Sequence, residues 1–331
     1  MTRLSWFVAR RSWIVCVLIS QVALEGLAFG ESRTTNPERQ GRIGVLVIAH
    51  GGTNRWDGMV RAAVRQAEVE FPTEVALGMG MHRSEVRVLQ QAVDRLERKG
   101  VSRIVVVPFF ISSHSEVFRQ FEYLFGRRPE PEWAEAGGPL NLEVPVVMGE
   151  ALDDSPVVAE ILLERARSLS RKPEEETVVL VAHGPIGDTD NQRWLSTMRR
   201  LAASIKQEGG FRTVASLTMR DDAPKPVQEA AAQQLRDIVQ WYSQQGRALV
   251  LPLLIAQGGV ERKIPKILAG LTYVYKGETL LPHPKLVEWI AQQATQLASV
   301  PDGSEAVRHA SGRASFPTVQ LRSARLSAVV E

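Results

Sequence analysis

Cysteine is all but missing from this 331-residue chain. The one copy, Cys16, lies in an apolar N-terminal stretch, so the rest of the chain has neither a disulfide nor a thiolate metal site. Histidine is scarce as well, six residues in all, which makes its placement informative. No Gly-x-Gly-x-x-Gly and no Lys-Ser/Thr element follows an apolar run, and Gly51-Gly52 alone is too little of a phosphate loop. Nucleotide chemistry therefore has no footing. Long uninterrupted apolar runs are also lacking. The run from Trp13 to Phe29 is broken by Gln21 and Glu25, short of a comfortable membrane span.

That run follows Arg3, Arg10 and Arg11 and ends near Ala28 and Gly30. Residues 1–30 thus read as an export signal or an N-terminal anchor, with a membrane tether through 13–29 as the second alternative. They hold three arginines and one glutamate, so without them the formal net charge falls from +3 to +1. So small an excess gives no ground for a nucleic-acid partner.

What the chain does contain is one strand written twice. Arg42 to Gly52 reads Arg-Ile-Gly-Val-Leu-Val-Ile-Ala-His-Gly-Gly, a continuous apolar run typical of a strand buried on both faces of a parallel sheet. Much later comes Thr177-Val-Val-Leu-Val-Ala-His183-Gly184-Pro185. A second echo pairs Ile-Val-Val-Val-Pro108-Phe-Phe-Ile with Ala-Leu-Val-Leu-Pro252-Leu-Leu-Ile. Proline near the end of a buried strand is uncommon, so its recurrence marks a repeat.

Between these strands the apolar spacing turns helical. Helices are expected over Asp57–Phe71, from a Ser84 cap to Gly100, to about Phe125, and over Ser155–Ser168. Short strands fall at Glu74–Gly78 and Leu142–Met148. In the second half, helices are expected over Asn191–Gln207, Val227–Gln245 and Lys285–Leu297, and strands over Thr213–Met219, Ala248–Leu254 and Thr272–Tyr275. Such alternation means right-handed βαβ units, hence an α/β protein of two similar flavodoxin-like lobes with helices on both faces of each parallel sheet. The expected boundaries are a linker at 31–41, a first lobe at 42–170, a charged link at 171–176, a second lobe at 177–300 and a disordered tail at 301–331.

Ligands of open α/β sheets bind at the carboxyl ends of the strands. His50 ends the first strand, and His114 follows the third in Ser-Ser-His-Ser-Glu116. Neighbouring strands lie about 4.8 Å apart, so both imidazoles can reach one cation. Each can equally cap local backbone. His-only ligation suits cobalt, iron, nickel or zinc and leaves positions for water or substrate. Glu116 reads either as a structural residue in a helix first turn or as a proton acceptor.

Ala-His50-Gly, Val-Pro108-Phe-Phe-Ile-Ser-Ser-His114 and Gly149-Glu-Ala-Leu-Asp-Asp-Ser-Pro-Val-Val together resemble the small sirohydrochlorin cobaltochelatase/ferrochelatase family. Leu281-Pro-His-Pro-Lys-Leu-Val resembles that family's closing helix, and the likeness covers about residues 42–298. The resemblance implies ATP-independent insertion of a divalent metal, Co²⁺ or Fe²⁺ with Ni²⁺ or Zn²⁺ left open, into a tetrapyrrole held in a cleft between the lobes. His50 and His114 would hold the metal and take up ring protons, with Glu116 assisting. Arg55, Arg83 and Arg119 would meet the ring's carboxylates. His183 and Gln257, in the second lobe without a metal, would line the shared cleft or be merely structural. Where the family carries a further Glu after the second strand, Leu77-Gly-Met79-Gly-Met81-His82 offers no carboxylate. An exported metal- or tetrapyrrole-binding protein without turnover is the alternative.

Overall fold

The computed structural model describes residues 41–301. The expected leader and most of the linker and tail lie outside that range, as does His309. The first half forms a parallel sheet of four strands, β1 (Ile43–Ala49), β2 (Thr73–Leu77), β3 (Arg103–Pro108) and β4 (Val146–Met148), in the order β2-β1-β3-β4. The second half repeats that order with three strands, β5 (Glu176–Ala182), β6 (Thr213–Thr218) and β7 (Arg247–Leu253), arranged β6-β5-β7. All pairings are parallel. Among the described residues, eight α-helices connect or flank the strands: α1 (Asn54–Gln66), α2 (Arg83–Arg98), α3 (Glu116–Leu124), α4 (Pro156–Leu169), α5 (Asp188–Gly209), α6 (Lys225–Ser243), α7 (Val260–Ile267) and α8 (Pro284–Ala298).

The apolar strands are continuous because both their faces are covered. Alternate residues of β1 point to opposite sides. Val45, Val47 and Ala49 join one core, and Leu46 and Ile48 another with α2 and α3. In β5, Val178, Leu180 and Ala182 join that same first core, whereas Val179 and Val181 face α6 and α7. One apolar layer built from α1, α4, α5 and α8 therefore lies between the two sheets.

Within that layer the halves exchange their last helices. α4, at the end of the first half, packs on α5 and β7 of the second. α8, at the end of the second, packs on β3 and α1 of the first. Trp289 of α8 meets Phe109 just past β3, ring centroids 6.0 Å apart, and Gly149 after β4 lies against Leu297. Lys285 of α8 and His283 at its N-cap reach Glu164 of α4. The boundary at 171–176 divides the sequence, but the packing runs across it.

Four local expectations need correction. Ser84 lies inside α2. The N-cap position is His82, whose side chain makes no capping hydrogen bond. The fourth strand is three residues long, since only Val146–Met148 finds a partner on β3. Thr272–Tyr275 makes a single bridge, Val274 to Leu249, where a strand was expected. Glu176 belongs to β5 and is buried, with its carboxylate taken by Ser170, the Arg171 amide and Arg247. The charged link expected at 171–176 thus ends in a buried carboxylate of β5.

Candidate active site

β1 and β5 are the central strands of their sheets, and each is followed by His-Gly. Gly51 and Gly184 adopt φ of +76° and +79°. Their neighbours leave little room for a side chain: a Cβ would lie 3.1 Å from the Gly78 amide nitrogen in the first copy and 2.6 Å from Thr218 Cβ in the second. Only glycine fits that turn against the adjacent strand. The turn also brings each glycine carbonyl back to the preceding imidazole, with Nδ1 of His50 2.8 Å from Gly51 O and Nδ1 of His183 2.8 Å from Gly184 O. A carbonyl only accepts, so Nδ1 carries the hydrogen and the Nε2 lone pair is left for a proton or a metal.

Both histidines line one cavity of about 520 Å³ at the carboxyl ends of the two sheets. Its wall is mostly apolar and aromatic, including Trp56, Met79, Met81, Phe109, Phe110, Trp133 and Trp194, with Glu116, Asp222 and Glu261 as its carboxylates. Burial pushes the His50 imidazole below its ordinary value of 6.5. The Gly51 carbonyl pulls it back up, His183 lowers it further, and Asp222 and Glu85 raise it. His183 Nε2 lies 3.5 Å from Asp222 Oδ2.

The remaining sequence-derived candidates are dispersed. His114 does not line the cavity, and its carbonyl accepts a 2.5 Å hydrogen bond from Trp194 Nε1. The loop after β3 turns through Ser113, which Asp153 holds by amide and hydroxyl. His183, and not His114, is therefore the second histidine lining the cavity with His50. Glu116 does line the cavity, but its Oε1 accepts the Gly187 amide at 2.9 Å. Arg119 is spent on Glu132 and Asp190, both 2.6 Å away. Arg83 bonds the Glu135 carbonyl and touches neither cavity. Arg55 and Gln257 line a second cavity next to the first.

Besides Glu261, two carboxylates escaped the sequence reading. Strand register makes Ala49 opposite Leu77 equivalent to Ala182 opposite Thr218, so Asp222 stands where the first half has Met81. Aligning the copies on their second strands would have found it. Glu85, three residues past His82, accepts the Met81 amide at 2.9 Å and acts on His50 from the first turn of α2. Among the described residues, no three His, Cys, Asp or Glu side chains are grouped as a metal-binding cluster.

Two like-wound parallel sheets, with a His-Gly turn from each on one apolar cavity, define a double α/β protein with a shared cavity at its strand ends. The CbiX family model matches the chain twice, over residues 44–169 and 177–297. The chain belongs to the CbiX family. Two curated relatives are each named sirohydrochlorin cobaltochelatase. That of Methanopyrus kandleri is 23% identical over 138 residues, covering 38% of this chain and 95% of the relative. That of Methanococcoides burtonii is 22% identical over 125 residues, with the same two shares. Among solved structures, SirB from Bacillus subtilis with Fe³⁺ superposes with a TM-score of 0.55 at 16% identity, covering 78% of this chain and 96% of that one. The sirohydrochlorin chelatase SirB from Bacillus subtilis subspecies spizizenii in complex with cobalt gives 0.55 at 14% identity, covering 80% and 98%. At these identities the solved structures establish the fold.

Proposed function

We propose that this protein inserts a divalent metal, Co²⁺ or Fe²⁺, into a sirohydrochlorin-like tetrapyrrole without ATP, outside the cytoplasm. One observation carries this reading: two imidazoles, one from each sheet and each held at Nδ1 by the following glycine carbonyl, share a cavity whose walls are aromatic and apolar, with His183 Nε2 turned to Asp222. A flat macrocycle can bury its faces on such walls. The ring must lose its inner NH protons as the cation enters. Neutral His50, kept so by burial, is suited to accept a proton or to hand over the ion. His183, beside Asp222, is the second base and has a carboxylate to pair with once protonated. Two nitrogen ligands leave the ion's other positions for ring nitrogens and water. Relatives named as cobaltochelatases add support, and the basic-then-apolar leader supports export.

The test is the absorbance change of sirohydrochlorin mixed with Co²⁺, with Fe²⁺ in parallel. Wild type is expected to accelerate insertion over the protein-free rate, and a His50→Ala, His183→Ala double variant to return it to that rate. A wild-type rate equal to the protein-free one would overturn the chelatase reading. If the ring were nevertheless bound, the absence of a three-ligand cluster among the described residues would favour a carrier.

A further inference from the structure

The second cavity, about 630 Å³, shares Thr53 and Glu261 with the first, so the two adjoin. Its remaining lining is strongly cationic. Arg55 comes from the first turn of α1, Arg262 and Lys266 lie one turn apart on α7, and Lys276 follows the bridge residue Val274. All four are exposed. Arg55, Lys266 and Lys276 make no ion pair among the described residues, and Arg262 has only Glu261 Oε1 at 3.8 Å. Glu261, the one carboxylate here, is buried and turns its Oε2 to the amides of Gly258 and Gly259, at 3.1 and 2.8 Å. Gln257 ties this wall together by donating to the Gly277 carbonyl. Four cations gathered from both halves, with their one carboxylate turned to the backbone, make a pocket suited to several anionic groups at once.

We propose that this cationic annex binds the peripheral carboxylates of a polycarboxylate macrocycle whose body occupies the adjoining apolar cavity, and so selects carboxylate-rich rings over carboxylate-poor ones. The inference rests on the tetrapyrrole reading above. It gives the two cavities separate tasks, affinity and side-chain choice in the annex, and proton and metal handling at His50 and His183. Because its cations are exposed, the preference is salt-sensitive.

Fluorescence quenching of the whole protein with metal-free uroporphyrin, rich in carboxylates, and with mesoporphyrin, a dicarboxylate, tests this. Wild type is expected to bind uroporphyrin about tenfold more tightly in low salt, with the preference fading as NaCl rises. An Arg262→Glu, Lys266→Glu double variant is expected to lose the preference while keeping mesoporphyrin binding, and Arg83→Glu, outside both cavities, to keep it. Wild type binding both rings equally, or the double variant retaining the preference, overturns the annex and leaves the tetrapyrrole reading standing. Wild type binding neither ring overturns that reading and the annex with it.

Discussion

Gly187 donates its amide hydrogen to Glu116 Oε1 at 2.9 Å, joining the start of α3 in the first half to the approach to α5 in the second. Arg119 to Asp190, and Trp194 to the His114 carbonyl, cross the same seam one turn further along. The acidic residue beside the third strand is therefore a fastener as well as part of the cavity wall. Glu116→Ala, which leaves the amide without its charged acceptor, is expected to cost about 1.5–3 kcal/mol in urea denaturation. Glu116→Gln, which keeps an acceptor, should cost less. Equal losses for the two variants would remove the hydrogen bond from the account.

The histidines are expected to separate cleanly. His50→Ala and His183→Ala should each slow metal insertion by roughly a hundredfold or more, the scale of a lost general base. His114→Ala, which removes an imidazole that does not line the cavity, should stay within about twofold of wild type by the criterion of a side chain that touches no reacting group. A deep loss in the His114 variant would restore the pairing anticipated from strand order.

The His50 imidazole can be followed directly by NMR. Its folded pKa lies below the unfolded 6.5, so the native state binds fewer protons than the unfolded chain between the two values. Lowering the pH through that window should weaken the metal-free fold, and the ring should titrate below 6.5. Titration at or above 6.5 would contradict the burial argument. His50→Gln is expected to remove that component of the pH dependence.

Glu176 supplies a second, more acidic limb. Burial alone would push its carboxyl up, but Ser170, the Arg171 amide and Arg247 outweigh it and hold it below the ordinary 4.5. The stability it contributes is present above 4.5 and is lost as the pH falls through the depressed value. Acid melts of Glu176→Gln against wild type should show a flatter limb there. At neutral pH the variant should be weaker by about 2–3 kcal/mol, since Arg247 loses its charged acceptor.

Trp289→Ala probes the exchanged helices. The side chain is 4% exposed and packed on Phe109, so its removal should cost about 3–5 kcal/mol. The loss should appear as faster hydrogen exchange in β3, although the substitution lies in the second half. Exchange confined to β5–β7 would refute the crossed packing.

Much of this was legible in the residues. Buried parallel strands are written as near-continuous Val and Ile runs, so β1, β3, β5 and β7 and the parallel fold could be read directly. β4 and the Thr272–Tyr275 segment were harder to read, because short edge segments depend on what a neighbour offers. His50 stood out because a strand-end His-Gly turn is a local feature. The choice between His114 and His183 was not local. It turns on which loop the seam draws inward, and a sheet facing from the other half contributes nothing to the spacing along the first. Asp222 was hidden for the same reason, and Arg119 looked free because neither Glu132, 13 positions on, nor Asp190, 71 positions on, is tied to it by local spacing.

The swap of α4 and α8 also bears on how such a molecule can be taken apart. Severed at residues 171–176, neither fragment would own the slab that shields its inner sheet surface. Each would expose raw hydrocarbon until the other arrived. The two pieces should therefore be sticky and short-lived alone, yet able to recombine when mixed, as interleaved parts of a single object rather than beads on a string.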